Sequence, residues 1–186
     1  LKTVKDLRRL TGVLLDTSLL EGGKLQPFAA VDLRAVIETV LDRWRPTASA
    51  RQIELKWETN RGEFLILGNE ELVDVAISNL VDNAIKYSEE KSQVELQLAK
   101  LADGSIRFQI KDKGVGMNAQ ELEKLGDIFF RADISRSTKD SFGLGFANAK
   151  KIIQSHGARL SVVSEPKVGT AVNILWDPLP KNFRNI

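Results

Sequence analysis

Asn79 and Asn83 stand four residues apart, and Lys86 and Tyr87 follow at seven and eight residues from Asn79. On a helix these four side chains share one face, because steps of three and four residues return to nearly the same angle. Two carboxamides, an ammonium and a phenol would then run up one edge. The apolar residues Leu72, Val73, Ala76, Ile77, Leu80, Val81, Ala84 and Ile85 form a broad stripe that overlaps that edge. The helix is therefore expected to be largely buried, and polar groups buried without partners are costly. A ligand carrying phosphates and a metal ion would supply those partners.

The rest of the chain must position this edge. Asn69 can serve as the N-cap, with Glu70 and Glu71 suiting the positive end of the helix. Ahead of it, Val31, Leu33, Val36, Ile37, Val40, Leu41 and Trp44 predict a helix over about 31–46 that Pro46 stops. QIELKWET (52–59) alternates as a half-buried strand, and a short run, FLIL (64–67), leads into the Gly68-Asn69 turn. VELQLAK (94–100) and SIRFQIKD (105–112) flank Asp103-Gly104 and predict a β-hairpin. A charge-rich, glycine-bearing region over 112–145 precedes a helix at 146–155. RLSVVSE (159–165) and TAVNILW (170–176) read as two closing strands. Several strands and a few helices, partly segregated, predict an α+β two-layer sandwich, a mixed sheet with helices on one face.

Before all of this, Val4, Leu7, Leu10 and Leu14 fall at helical spacing within residues 1–20, and Gly22 and Gly23 end that stretch. The expected organisation is an N-terminal helix over 1–22, one domain over 23–180 and a tail over 181–186. The first helix reads either as a core or capping helix, or as the end of a dimerising hairpin.

The chain has 186 residues, 42% of them apolar, with 27 Lys and Arg against 25 Asp and Glu for a net charge of +2. A sizeable core fits this composition, and no basic cluster interleaved with aromatics points to nucleic acid. The absence of cysteine excludes disulfides and thiolate metal sites and suits a reducing compartment. No apolar run approaches the roughly 20 residues that span a bilayer. The chain opens in a helical pattern, without Met, and reads as a soluble, cytoplasmic fragment of a longer protein.

Three glycine-bearing turns carry the rest of the chemistry. In DKGVGM, Asp112 ends a strand and Gly114 and Gly116 follow. FGLGFA places Gly143, Leu144 and Gly145 at the opening of a helix, and Gly169-Thr170 heads the last strand. Glycine lets backbone approach a ligand, and a helix N-terminus presents free N–H groups that favour phosphate. Each turn alone is weak, but the order is specific: an Asn-bearing helix, Asp-x-Gly-x-Gly after a strand, Gly-Leu-Gly opening a helix, then Gly-Thr.

That order, over about residues 65–180, resembles the nucleotide-binding domain shared by sensor histidine kinases, gyrase, MutL and the heat-shock chaperone ATPases. The resemblance implies a Bergerat-type sandwich that holds ATP between helices and one sheet face. Under it, Asn83 looks like the Mg²⁺ ligand and Asn79 the support for metal and phosphates. Hard amide and phosphate oxygens suit that ion. Lys86 would meet phosphate, and Tyr87 would line the pocket. Asp112 would accept a hydrogen bond from the adenine amino group, with Gly114 and Gly116 leaving room for the base. Gly143, Leu144 and Gly145 would close over the phosphates, and Thr170 would back the adenine. Arg131, and less directly Arg136, would face the γ-phosphate.

One position separates the subfamilies. ATP-hydrolysing relatives carry a Glu base four residues before the metal Asn, where this chain has Asn79. An amide cannot take the proton from water, whereas an imidazole nucleophile needs no such base. NAIKYS and IFFRADISRS also resemble histidine kinases, and residues 1–20 resemble the end of their dimerisation helix. The expected function is the catalytic domain of a two-component sensor histidine kinase. It would pass the γ-phosphoryl of Mg-ATP to a histidine on a dimerisation domain, with a response regulator as the next partner and a homodimer as the full-length assembly.

The sequence also departs from the family. The phenylalanine segment is shortened to IFFR (128–131), and Ser141 replaces the first glycine of GxGLG. A degenerate, non-catalytic binding module is the alternative these departures raise. A gyrase-type ATPase is disfavoured by Asn79. The sole histidine, His156 in QSHGARL, reads as structural, and the phosphoacceptor is not in this sequence.

Overall fold

The central helix forms where the sequence places it. In the computed structural model, which describes residues 28–125 and 144–179, a helix spans Glu70–Tyr87, and the Asn69 side chain accepts from Leu72 N–H at 3.0 Å. Its buried residues are the eight of the expected apolar stripe. We number the described elements in chain order. β1 is Ala29–Asp32, α1 Leu33–Ala50, β2 Glu54–Thr59, β3 Leu65–Gly68, and α2 the central helix. β4 (Gln93–Lys100) and β5 (Ile106–Asp112) form the expected hairpin. α3 is Ala119–Glu123, α4 Gly145–Ser155, β6 Arg159–Glu165 and β7 Gly169–Trp176.

The main sheet has the order β2-β4-β5-β7-β6. The β2–β4 pair is parallel and the other pairs are antiparallel. Alternation sets its two faces. Val94, Leu96 and Leu98 of β4 and Ile106, Phe108 and Ile110 of β5 are buried, joining Ile37, Leu41, Ile77, Ile85 and Ile152 from the helices in one core. Gln97, Gln109 and Asn173 take the opposite parity, with Gln109 Nε2 donating to Asn173 Oδ1 at 2.6 Å. This is the expected α+β sandwich with a mixed sheet. Among the described residues no helix is long and apolar enough to cross a membrane. The N-terminal helix over 1–22 and the tail over 181–186 lie outside the described residues.

Three details differ from expectation. Val31 and Asp32 belong not to the first described helix but to β1, which pairs antiparallel with β3 in a separate two-stranded sheet. Asp32 instead caps α1, accepting from Arg34 N–H at 3.0 Å. Pro46 does not stop α1, which runs on to Ala50. Proline forfeits one backbone bond, while Ala48 is buried and its carbonyl accepts from the N–H groups of Arg51 and Ile53. Tertiary anchoring keeps the last turn. α3, with its Asn118/Glu121 capping box, lies in the charge-rich, glycine-bearing region over 112–145, where no helix was named.

Both ends of α2 are held by distant side chains. At its start, His156 Nε2 accepts from Asn69 N–H at 3.0 Å, while Nδ1 lies 2.7 Å from the Ile152 carbonyl. A carbonyl only accepts, so the ring is neutral with its proton on Nδ1. Phe28 stacks on it at 4.8 Å, and a Cβ at Gly68 would crowd it. At the other end Arg51 donates to the carbonyls of Ile85, Lys86 and Ser88, groups a helix terminus leaves unsatisfied.

Burial pulls the His156 pKa below 6.5, against the raising effect of its bond to the Ile152 carbonyl; the Asn69 N–H that donates to Nε2 also favours the neutral ring. The unfolded chain therefore takes up a proton before the folded one does. His156 should contribute stability that is full above pH 6.5 and lost as pH falls through 6.5 toward the lower folded value. Urea unfolding across this range should show a shallower loss for His156→Gln than for the unaltered chain. Asp112 titrates in both proteins and cancels in the difference. Parallel curves would exclude this role.

Candidate functional site

The exposed side of α2 carries the polar edge. Asn79, Asn83, Lys86 and Tyr87 are each half-buried. Neither Asn79 nor Asn83 has a hydrogen-bond partner among the described residues. Lys86 Nζ lies 5.4 Å from the centre of the Tyr87 ring. α4 begins beside this edge: a Cβ on Gly145 would stand 3.5 Å from Asn79 Oδ1. The N-cap of α4 is Leu144, which provides no side-chain cap. The positive end of that helix thus lies beside the Asn79 carboxamide.

Asp112 occupies a core position. It continues the buried parity of Ile106, Phe108 and Ile110 along β5 and is only 8% exposed. Oδ1 accepts from Gly114 N–H at 3.0 Å and Thr170 N–H at 3.1 Å, and Oδ2 accepts nothing from the described residues. Desolvation raises its pKa from 3.8 to about 6, with the Thr170 and Gly114 bonds pulling the other way. A carboxylate tethered at one oxygen with the other unengaged is suited to accept one further N–H.

The glycines around Asp112 serve the protein's own backbone. This corrects the expectation that Gly114 and Gly116 leave room for a base. A Cβ at Gly114 would overlap the Tyr87 carbonyl, and one at Gly116 would overlap that of Glu165. Gly116 also has φ +63. The loop is fastened at both places. Val115 N–H donates to the Tyr87 carbonyl at 3.2 Å, and Lys167 N–H donates to that of Val115 at 2.7 Å. Ser164 Oγ accepts from Met117 N–H at 2.9 Å and lies 2.8 Å from Thr170 Oγ1.

Of the residues named from sequence, two groups come together. Asn79 meets Gly145 at one end; Tyr87, Asp112, Gly114 and Thr170 meet at the other. Asn83 and Lys86 lie on α2 beside these groups. Arg131, Arg136, Ser141, Gly143 and the IFFR segment lie outside the described residues. Arg51 and Ser164 were not anticipated, because nothing local marks a residue whose partners are 34 or 47 positions away.

Among the described residues no group of three or more His, Cys, Asp or Glu could hold a metal. The amide oxygens of Asn79 and Asn83 are the unengaged hard donors on this face, which fits a cation shared with phosphate oxygens.

Comparison with known proteins gives the family and the fold. The family model described as histidine kinase-, DNA gyrase B-, and HSP90-like ATPase matches residues 68–180. The sensor-like histidine kinase SenX3 of Mycolicibacterium smegmatis is 31% identical over 178 residues, which cover 93% of this chain and 46% of that protein. The chain thus spans about half the length of that relative. Among solved structures, the mycobacterial sensor histidine kinase MprB is 28% identical with a TM-score of 0.70, covering 82% of this chain and 99% of that one. The histidine kinase ThkA, solved in complex with the response regulator protein TrrA, is 19% identical with a TM-score of 0.71 and shares the fold. It covers 98% of this chain and 50% of that one. The family match spans more than half of the chain and carries ATP binding with it: the chain belongs to the histidine kinase-, DNA gyrase B- and HSP90-like ATPase family.

Proposed function

We propose that this chain is the catalytic domain of a sensor histidine kinase, passing the γ-phosphoryl of Mg-ATP to a histidine on a separate dimerisation domain. A response regulator would receive the phosphoryl group next, and the full-length protein would act as a homodimer. The observation that carries the reading is the Asn79 carboxamide beside the start of α4, where hydrolysis of ATP would call for a basic carboxylate. Asn79 has no lone pair basic enough to activate water. An incoming imidazole brings its own, so the site needs only to align and neutralise.

In this reading the Asp112 carboxylate accepts from the adenine amino group through Oδ2, while Gly114 and Thr170 N–H fix Oδ1. Tyr87 lines the base end, and Thr170 backs it. Asn83 offers its amide oxygen to Mg²⁺, and Asn79 supports it from one turn earlier. Bound Mg²⁺ would offset phosphate charge during transfer. Lys86 supplies a further positive charge. Leu144 and Gly145, with Gly143 before them, present the N-terminus of α4 to the phosphates, and Arg131 would add charge at the γ-phosphate. The degenerate, non-catalytic alternative gains no support from the relatives, which bear the names of sensor histidine kinases.

Asp112→Asn tests the base end. The variant amide still accepts from Gly114 and Thr170 but turns a donor toward the adenine amino group. A hydrogen bond to a charged acceptor is worth about 1.5–3 kcal/mol, so ATP affinity should fall by roughly tenfold or more. The same variant should be the more stable protein near neutral pH. A carboxyl pKa raised from 3.8 to about 6 is a penalty of up to about 3 kcal/mol. That penalty is complete above pH 6 and vanishes as pH falls toward 3.8, so the stability gap should close with acid. Titration calorimetry and thermal melts read both effects; undiminished ATP binding by the variant would sink the assignment.

Radiolabelled ATP tests the reaction. With a separately produced histidine-bearing dimerisation domain, label should appear on that domain and not on this chain. Rapid steady hydrolysis by the chain alone would favour a gyrase-type ATPase, and an unlabelled acceptor domain would favour a non-catalytic module.

A further inference from the structure

One side chain of α4 plays no part in the site described above. Asn148 is 6% exposed, and neither its Nδ2 nor its Oδ1 has a hydrogen-bond partner among the described residues. Buried amides are nearly always satisfied, so one left bare at both ends needs an explanation. Its setting gives no local reason for it. Asn is a weak helix former, and Ala149, Ile152 and Ile153 beside it are core.

Its position gives the explanation. Asn148 follows Gly145 by three residues and so lies one turn along nearly the same face of α4. Gly145 is the residue whose Cβ would stand 3.5 Å from Asn79 Oδ1. α4 runs antiparallel to α2, because His156 at its far end receives Asn69 N–H. Along the facing side of α2, Leu72, Val73 and Ala76 are apolar and buried, and the Asn79 amide has no hydrogen-bond partner among the described residues. Two unsatisfied carboxamides therefore lie on packed helices about one turn apart.

We propose that Asn148 is a positioning residue for Asn79: with nucleotide bound, Asn148 Oδ1 accepts from Asn79 Nδ2 and so turns Asn79 Oδ1 toward the metal and phosphates. The proposal rests on the reading of Asn79 given above. The two ends of a carboxamide are almost equal in size, so packing does not select between them. A fixed acceptor on the neighbouring helix does. The stability lost by burying Asn148 is then the cost of an oriented amide at the phosphate end.

The test is a double-mutant cycle in the 186-residue chain. Asn148→Leu, which keeps the branching of the Asn side chain, should melt at a higher temperature without nucleotide, because it removes two unsatisfied polar atoms. It should bind Mg-ATP about fivefold to tenfold more weakly, the effect of one lost hydrogen bond. Adenosine, read at the Asp112 end, should bind unchanged, and Asn148→Ala should shift Mg-ATP affinity in the same direction. In an Asn79→Ala background, Asn148→Leu should cost no further affinity. Unchanged Mg-ATP binding, an equal loss for adenosine, or an additive loss in the cycle would each overturn the proposal. Failure of the unaltered chain to bind Mg-ATP would sink the site reading itself, and this proposal with it.

Discussion

A carboxylate at a core position of a strand is the constraint around which the site is built. β5 places Asp112 where its parity calls for an apolar residue, and burial opposes its charge. Two backbone N–H groups compensate at Oδ1, and each requires a particular chain path. Gly114 must turn tightly under the Tyr87 carbonyl, and Thr170 must enter β7 directly from Gly169, whose missing Cβ makes way for the Asp112 carbonyl. The end of α2, the loop after β5 and the β6–β7 hairpin are thus fixed relative to one another by one charge. Relief of the remaining strain falls to whatever meets Oδ2.

α2 transmits this arrangement along its length. His156 holds its first turn through Asn69, Arg51 holds its last carbonyls, and Trp44 and Arg43 tie its middle to α1 through Ser78 and Asp74. Buried contacts hold one side, so the polar edge is presented by a helix with little freedom to shift. Such rigidity suits a reaction that depends on alignment more than on acid–base chemistry.

Much of this was legible from residue order, because α2, β4, β5 and β7 each satisfy their local pattern and their tertiary role together. Asn69, the eight buried positions and Asp112 at a strand end needed only periodicity and capping rules. What could not be read depended on distance. The end of α1 is decided by the burial of Ala48 rather than by Pro46, and β1 exists only through its pairing with β3. The glycines illustrate the limit best. Their necessity at 114 and 116 was visible, but its cause was assigned to a ligand when backbone carbonyls occupy the space. Asn148 shows the same limit, since one Asn in a helix carries no signal until its surroundings are known.

The β6–β7 hairpin has a consequence for engineering. Hairpin tips are ordinarily the safest places to insert a tag or open a new terminus, and the exposed Pro166–Val168 tip invites such use. Here Lys167 N–H is bonded to Val115, and Glu165 is packed on Gly116. A graft at this tip would loosen the loop that carries Asp112 although it lies on the molecular surface.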